Sequence, residues 1–454
     1  MSPKDSIRDV SRLLSRFELS SEELVRSQLD RAEKLSDLNA FISLLPEQAI
    51  SDARRLDAIR RRGELIGPLH GIPVTAKDLV WSKGHPTTSG SKIDADFVPD
   101  RDAPALASLR DAGAVLLGKT NLHEFAYGVS NVNPHYGAAR NPWDRTRISG
   151  GSSGGSAVAL ASGVGYGSIG TDTGGSIRIP SSLCGIAGLK PTYGRISRAG
   201  VTPLSWSLDH VGPMARTVED LAVLYAAMSG DAIEPTPADD ESPLRNLKVG
   251  LHARYFFENL TPEVEAAVRS ALAVMETLGA AIVEIDVPEI EIQGACRNTI
   301  AFAEASCYHE KNIRTRPQDY GEDTRELLRL GLLIPATDYL TALRLRRSVF
   351  AAFRNAFRSI DVLVAPSTPA PAAPIGATVL DNGEELRSGL LRLAGPFNTT
   401  GFPALSVPCG FTGNGLPIGL QLAAAPRRET LLLRIARAFE TRSRQSGPDR
   451  SPAV

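Results

Sequence analysis

The sequence predicts an α/β protein in which helices are layered on a sheet of buried strands. Two observations carry that class. First, "VTAKD" (74–78), "AVLLG" (114–118) and "VGYGSIGTD" (164–172) are short runs of apolar or small residues that alternate with helical segments. Second, the same strand–helix–strand grammar returns as "LKVGLHA" (247–253), "TPEVEAAVRSALAVMETLG" (261–279) and "AAIVEIDVP" (280–288). With 42% apolar residues in 454, the chain has ample material for a large core.

In chain order, the first sixty residues read as helical. Ser20-x-x-Glu23 is a capping-box pattern opening "EELVRSQLDRAEKL", and "EQAISDARRLDAIRRRG" ends on a glycine stop. "HGIPVTAKDLV" (70–80) reads as a buried strand carrying Lys77. "DAPALASLRDAG" (102–113) reads as a helix with a glycine cap before the strand "AVLLGKT". "TVEDLAVLYAAMSG" (217–230) is a further helix, and Thr337 to Ser359 predicts a long one whose arginines form a solvated face. "DVLVAP" (361–366) and "LPIGLQLAA" (416–424) read as core strands, with the short proline-rich connection 367–376 between them. No internal repeat interrupts this plan.

Composition excludes several partners. Fifty basic and fifty-one acidic residues leave no charge excess for nucleic acid or an anionic membrane. Cys184, Cys296, Cys307 and Cys409 form no C-x-x-C pair, which fits neither a disulfide framework nor a zinc site and suits a reducing compartment. The N-terminus lacks a signal peptide's apolar stretch, and no apolar run approaches the ~18 residues of a membrane span. The reading is a cytoplasmic enzyme without nucleic acid or membrane as partner.

Chemistry concentrates in two glycine–serine runs, "SGGSSGGSA" (149–157) and "GTDTGGSIRIP" (170–180). Gly165, Gly167 and Gly170 match G-x-G-x-x-G, but no helix opens after Gly170 and "AGLKP" offers no acid for a ribose. Gly150 to Gly154 match G-x-S-x-G, yet that elbow requires a strand just before the serine and "RNPWDRTRISGG" is polar and proline-broken, and His210, His252 and His309 carry no supporting pattern. Ser89-x-x-Lys92 lacks its companion motifs, and His123-Glu124 lacks the second histidine of a zinc helix. Neither a metal nor a cofactor is expected.

Taken with Lys77, the two runs make a different proposal. Glycines let the main chain approach a substrate and aim successive N–H groups at one point. Ser176, at the end of a loop running into a helix start, suits a nucleophile beside an oxyanion hole. A buried lysine that loses its proton suits its base, and Ser152 can carry the proton between them. The bland alternative is that the runs are turns and Lys77 reaches solvent.

"GIPVTAKD" (71–78), "GGSSGGSA" (150–157) and "GTDTGGSIRIPSSLCGIAGLKPTYGRIS" (170–197) together resemble the amidase signature family. The spacings agree, with seventy-five residues from Lys77 to Ser152 and twenty-four from there to Ser176. Family-like texture extends from about residue 20 to 440, including "SLDHVGPMARTVED" and "PFNTTGFPALSVPCG". The resemblance implies one α/β/α unit, a large twisted mixed β-sheet covered by helices on both faces. That unit spans 1–454: a helical segment 1–65, a signature core 66–230, the rest of the sheet with the substrate pocket 231–445, and a frayed tail 446–454.

By the same carry-over Ser176 is the nucleophile, Ser152 the bridging serine and Lys77 the base. Thr173, Gly174, Gly175 and Ser176 supply the oxyanion-hole N–H groups, and the Gly151–Ser152 peptide is cis. Ser153 steadies the loop, and Asp172 with Arg178 forms an ionic brace. The implied reaction is cleavage of a carbon–nitrogen bond through an acyl-enzyme.

The family holds both stand-alone hydrolases and the glutamine-hydrolysing subunit of a tRNA-dependent amidotransferase. The latter carries an acid seven residues before the asparagine that corresponds to Asn398; here position 391 is leucine. The expectation is therefore a stand-alone hydrolase of non-peptide amides, with esters, carbamates and anilides within reach. Its partner is a small molecule, and a homodimer is left open. The amidotransferase component is the alternative, and an inactive binding protein the second. The acyl pocket is expected from 125–145 and 290–345, with "NLHEFAYG" hinting at an apolar or aryl group.

Overall fold

The computed structural model describes residues 5–233, 242–446 and 452. The strands of its main sheet are β1 (Phe41–Leu44), β2 (Pro73–Lys77), β3 (Val115–Thr120), β4 (Gly167–Asp172), β5 (Ala187–Lys190) and β6 (His210–Ala215) in the first half. The second half contributes β7 (Lys248–Leu251), β8 (Ala281–Glu284), β9 (Val362–Pro366), β10 (Ala404–Phe411) and β11 (Pro417–Ala423). All eleven form one sheet in the order β1-β3-β2-β4-β6-β5-β10-β11-β9-β7-β8. β3, β2 and β4 run parallel, as do β9, β7 and β8, and antiparallel pairings join these two groups through the middle of the sheet.

Both faces of this sheet are apolar, as strand alternation requires. Val74, Leu116, Ile169 and Val211 point into one layer, and Val115, Leu117 and Met214 into the other. Helices cover each layer. The capping box at Ser20 is formed, with the Ser20 side chain accepting from Glu23 N–H and the Glu23 carboxylate accepting from Ser20 N–H. Among the described residues, no helix is long and apolar enough to cross a membrane.

Three elements differ from the sequence reading. The N-terminal segment is not all helix, because Phe41–Leu44 leaves it to pair antiparallel with β3 at the sheet edge. Four half-buried residues between two helices are too few for strand alternation to register. The segment 290–345 holds helices Gln293–Thr315 and Glu322–Gly331, which their mixed polarity concealed. The long arginine-rich helix spans Ala336–Ala356, with Arg344, Arg347 and Arg354 exposed. The expected tail lies outside the described residues, apart from its first residue and 452.

Candidate active site

The site forms where parallel strands β2 and β4 end side by side. Their register pairs Ala76 with Ile169, so Lys77 and Thr171 emerge together at the carboxyl edge, where open α/β sheets bind ligands. Lys77 is fully buried and donates from Nζ to Ser152 Oγ at 2.7 Å and to Thr171 Oγ1 at 2.8 Å. Burial pushes its ammonium down from the usual lysine range to about 7, against the opposing pull of Asp172 and Asp209. A lysine near neutrality beside a serine hydroxyl can take that hydroxyl's proton.

The two glycine–serine runs meet at this edge. Ser153 N–H donates to the Ser176 carbonyl at 3.2 Å, and Ser153 Oγ donates to the Thr171 carbonyl at 3.2 Å. The Gly151–Ser152 peptide is cis. Helix α1 (Gly154–Ala161) starts immediately afterwards, and Gly155 is needed there: a Cβ would lie 2.4 Å from the Asn121 carbonyl oxygen. The literal G-x-G-x-x-G at 165–170 lies mostly within β4 and opens no helix.

Beyond β4 the loop turns around Asp172. Its carboxylate accepts from Gly175 N–H at 2.9 Å and Ile177 N–H at 3.1 Å, shaping the approach to helix α2 (Arg178–Cys184). Arg178 clamps the same carboxylate with Nε at 3.0 Å and Nη2 at 2.9 Å, and all of this is buried. Burial alone drives the Asp172 carboxyl upward; the Arg178 charge and hydrogen bonds outweigh it and hold the group below the carboxylate range. Gly175 has φ +133°, and a Cβ there would meet Ala394 and Ile179 at 2.7 Å.

One detail differs from the expected oxyanion hole. The Gly175 N–H is committed to Asp172, because a buried carboxylate with a short loop around it takes the nearest donors. The N–H groups of Thr173, Gly174 and Ser176 have no acceptor among the described hydrogen bonds. None of the histidines His210, His252 and His309 hydrogen-bonds Lys77, Ser152 or Ser176 among the described residues, although His210 stands on β6 opposite Asp172. His210 Nδ1 lies 2.7 Å from the Leu208 carbonyl, His252 Nδ1 lies 3.0 Å from the Ile285 carbonyl, and His309 meets the Tyr320 hydroxyl.

The second half of the chain closes the site. Asn398, in a short helix at Pro396–Thr400, donates to Asp172 Oδ1 at 2.8 Å and to the Asp172 carbonyl at 2.9 Å. It also accepts from Arg178 Nη2 at 2.7 Å, while Gln421 Oε1 accepts from Arg178 Nη1 at 2.6 Å. Beside Ser176 lies a cavity of about 30 Å³, with Tyr127, Arg297, Phe302, Arg387 and Leu391 in its wall. A larger one of about 540 Å³ opens on the other side of Thr173, past Thr171, Asp209 and His210. Both segments expected to build the pocket, 125–145 and 290–345, contribute to the smaller cavity. Its two arginines are at odds with a purely apolar or aryl ligand.

Sequence reasoning left Thr171, Asp209, Arg297, Arg387, Asn398 and Gln421 without roles at the site. Thr171 lies inside the second glycine–serine run and Asn398 inside "PFNTTGFPALSVPCG", so both were recoverable. Arg297 is one of two widely spaced arginines on a mixed helix and leaves no local signal.

The amidase family model matches residues 23–433. A glutamyl-tRNA(Gln) amidotransferase subunit from Moorella thermoacetica is 40% identical over 466 residues, covering 95% of each chain. Among solved structures, a protein from an unexpected vestigial complex, tied to the evolutionary origins of an s-triazine catabolic enzyme, superimposes with TM-score 0.91. It is 36% identical and covers 96% of this chain and 98% of that one. The corresponding amidotransferase subunit from Thermotoga maritima has TM-score 0.80 at 31% identity, covering 97% and 95%.

These relatives overturn two expectations. Leucine at position 391 pointed to a stand-alone hydrolase of amides, esters or carbamates, with a small molecule as its partner. The full-length likeness is instead to amidotransferase subunits. The physical reason is that Leu391 sits in the inner wall of a small cavity. A position there bears on the groups of a ligand and carries no information about the outer surface, where any protein partner would bind.

Proposed function

Because the chain belongs to the amidase family, and so hydrolyses carbon–nitrogen bonds, we propose that it is the glutamine-hydrolysing subunit of a tRNA-dependent amidotransferase. The whole chain acts as one amidase unit in the cytoplasm, beside protein partners that receive the released ammonia. The 40% identity over 95% of both chains carries this reading.

Ser176 attacks the side-chain amide while its proton passes through Ser152 to neutral Lys77. The N–H groups left free at Thr173, Gly174 and Ser176 hold the oxyanion, and the Asp172–Arg178 brace keeps the loop in shape. Lys77 then returns the proton to the leaving nitrogen, which a poor leaving group such as an amide anion requires. Water releases the acyl-enzyme by the same relay. The reaction needs no cofactor from the chain.

Purified chain is assayed for glutamine hydrolysis with and without amidotransferase partner subunits. Turnover of glutamine that rises severalfold in the complex supports the reading. Absence of complex formation, together with no glutamine turnover in any mixture, overturns it.

A further inference from the structure

A buried guanidinium is costly unless a counter-charge or a full set of acceptors surrounds it. Arg297 is 5% exposed and lies in the wall of the Ser176 cavity. Its acceptors among the described residues are neutral: the Leu391 carbonyl takes Nη1 at 3.1 Å and Asn298 Oδ1 takes Nη2 at 3.1 Å. Two of its five donors are thereby used. The charged groups close enough to act on it are Arg387 and Arg178, both cations, with the phenol of Tyr255. Arg178 is itself neutralised by Asp172; Arg297 has no carboxylate of its own among the described residues.

An independent observation points the same way. Tyr127 is 2% exposed and lines the same cavity, and its hydroxyl has no hydrogen-bond partner among the described residues. Burial keeps that phenol protonated, so it is a standing donor. Arg387 lies over the Tyr127 ring at 5.4 Å and donates to the Tyr127 carbonyl at 2.9 Å, adding a second cation to the wall. The wall beside Ser176 therefore holds two cations and an unused hydroxyl; Glu385 and Asp323 act on Arg387, whereas no carboxylate among the described residues acts on Arg297.

We propose that Arg297, assisted by the Tyr127 hydroxyl and the Arg387 charge, is the docking point for a carboxylate carried by the amide substrate. The substrate class is the monoamide of a small dicarboxylic acid, with the amide at Ser176 and the carboxylate at Arg297. Glutamine belongs to this class through its α-carboxylate, so in naming glutamine the assignment rests on the amidotransferase reading. The cavity beside Ser176 is small, about 30 Å³, and open on one side. That favours compact acids.

The test compares kcat/KM for glutaramate with that for valeramide, which has the same length and no charge. The wild type is expected to prefer the acid by about 100-fold, the size of one charge-assisted pair. Arg297→Met is expected to bring that ratio to within about threefold of unity, through KM rather than kcat, and Arg297→Lys to fall between. A purely structural arginine would lower both substrates together and leave the ratio intact. A second measurement needs no variant: glutarate should protect wild-type Ser176 from a sulfonyl fluoride, and pentanol should not. Equal use of the two amides by wild type, or an unchanged ratio in Arg297→Met, overturns the proposal. If glutamine turnover with partners fails while glutaramate preference holds, the carboxylate site stands and the amidotransferase reading falls.

Discussion

The proposed reacting groups and the wall of the cavity beside them come from parts of the chain with opposite character. Lys77, Ser152 and Ser176, with Asp172 and Arg178, lie within about a hundred residues and, Lys77 apart, on two contiguous glycine–serine runs. The wall draws Tyr127 from one loop, Arg297 from a helix and Arg387 and Leu391 from another, separated by more than 250 positions. The first region is built from backbone geometry, which demands particular residues in sequence. The second is built from single side chains delivered by ordinary helices. Chemistry is therefore written locally, and specificity is scattered.

The largest effects should come from the first region. Ser176→Ala should remove labelling by a fluorophosphonate and lower amide turnover by about 10⁴-fold or more. Mass mapping that placed the adduct on Ser152 or Ser153 would break the assignment of the nucleophile. Lys77→Ala should cost about 10²- to 10⁴-fold on amides and less on esters, whose alkoxide leaves without a delivered proton.

The pH dependence follows from the sign of the Lys77 shift. Its folded-state value of about 7 lies below that of a free lysine, and only the neutral amine is a base. kcat/KM should fall about tenfold per unit below that value and level off above it. Lys77→Ala should flatten this limb. A limb that survives in Lys77→Ala and disappears in a histidine variant would falsify the lysine mechanism.

Next in size are the residues that join the two regions. Asp172→Asn leaves buried Arg178 without its charge partner, at a cost of about 3–5 kcal/mol in stability by chemical denaturation. Because the Asp172 carboxyl is held low by Arg178, its contribution is fully present above the unfolded carboxylate range and is lost as pH falls from there through the lower folded-state value. Asn398→Ala strips two donors from Asp172 and an acceptor from Arg178, costing about 1–3 kcal/mol and slowing Ser176 labelling. Unchanged labelling in Asn398→Ala would show that the loop holds its shape without the second half of the chain.

What the sequence disclosed follows the same division. Alternating strands and helices betrayed the α/β class, and the glycine blocks marked the two loops of the proposed reaction centre, because only small residues fit where Gly155 and Gly175 meet neighbouring atoms. Phe41–Leu44 was hidden because four half-buried residues have no readable period. Arg297 was hidden because its role depends on what surrounds it in space. Reading function from Leu391 failed for a related reason, since one wall position was asked to report on an assembly.

Leu391 offers the smallest and finest test of the comparison. It stands beside Arg297 in the wall, and its carbonyl already accepts from Arg297 Nη1. Glutamine and glutaramate share a carboxylate and a side-chain amide, but only glutamine carries an α-ammonium. The wild-type wall presents cations and apolar surface, so it should give the ammonium no reward. Leu391→Asp places a carboxylate there, which both attracts an ammonium and neutralises Arg297. The acid should then lower turnover of glutaramate while sparing glutamine, shifting the kcat/KM ratio toward glutamine by about tenfold, or about 1.4 kcal/mol. Steady-state kinetics on the two substrates reads this directly. A ratio that stays fixed would mean that position 391 does not face the bound ligand, and that the wall recognises its substrate from the Tyr127 and Arg297 side alone.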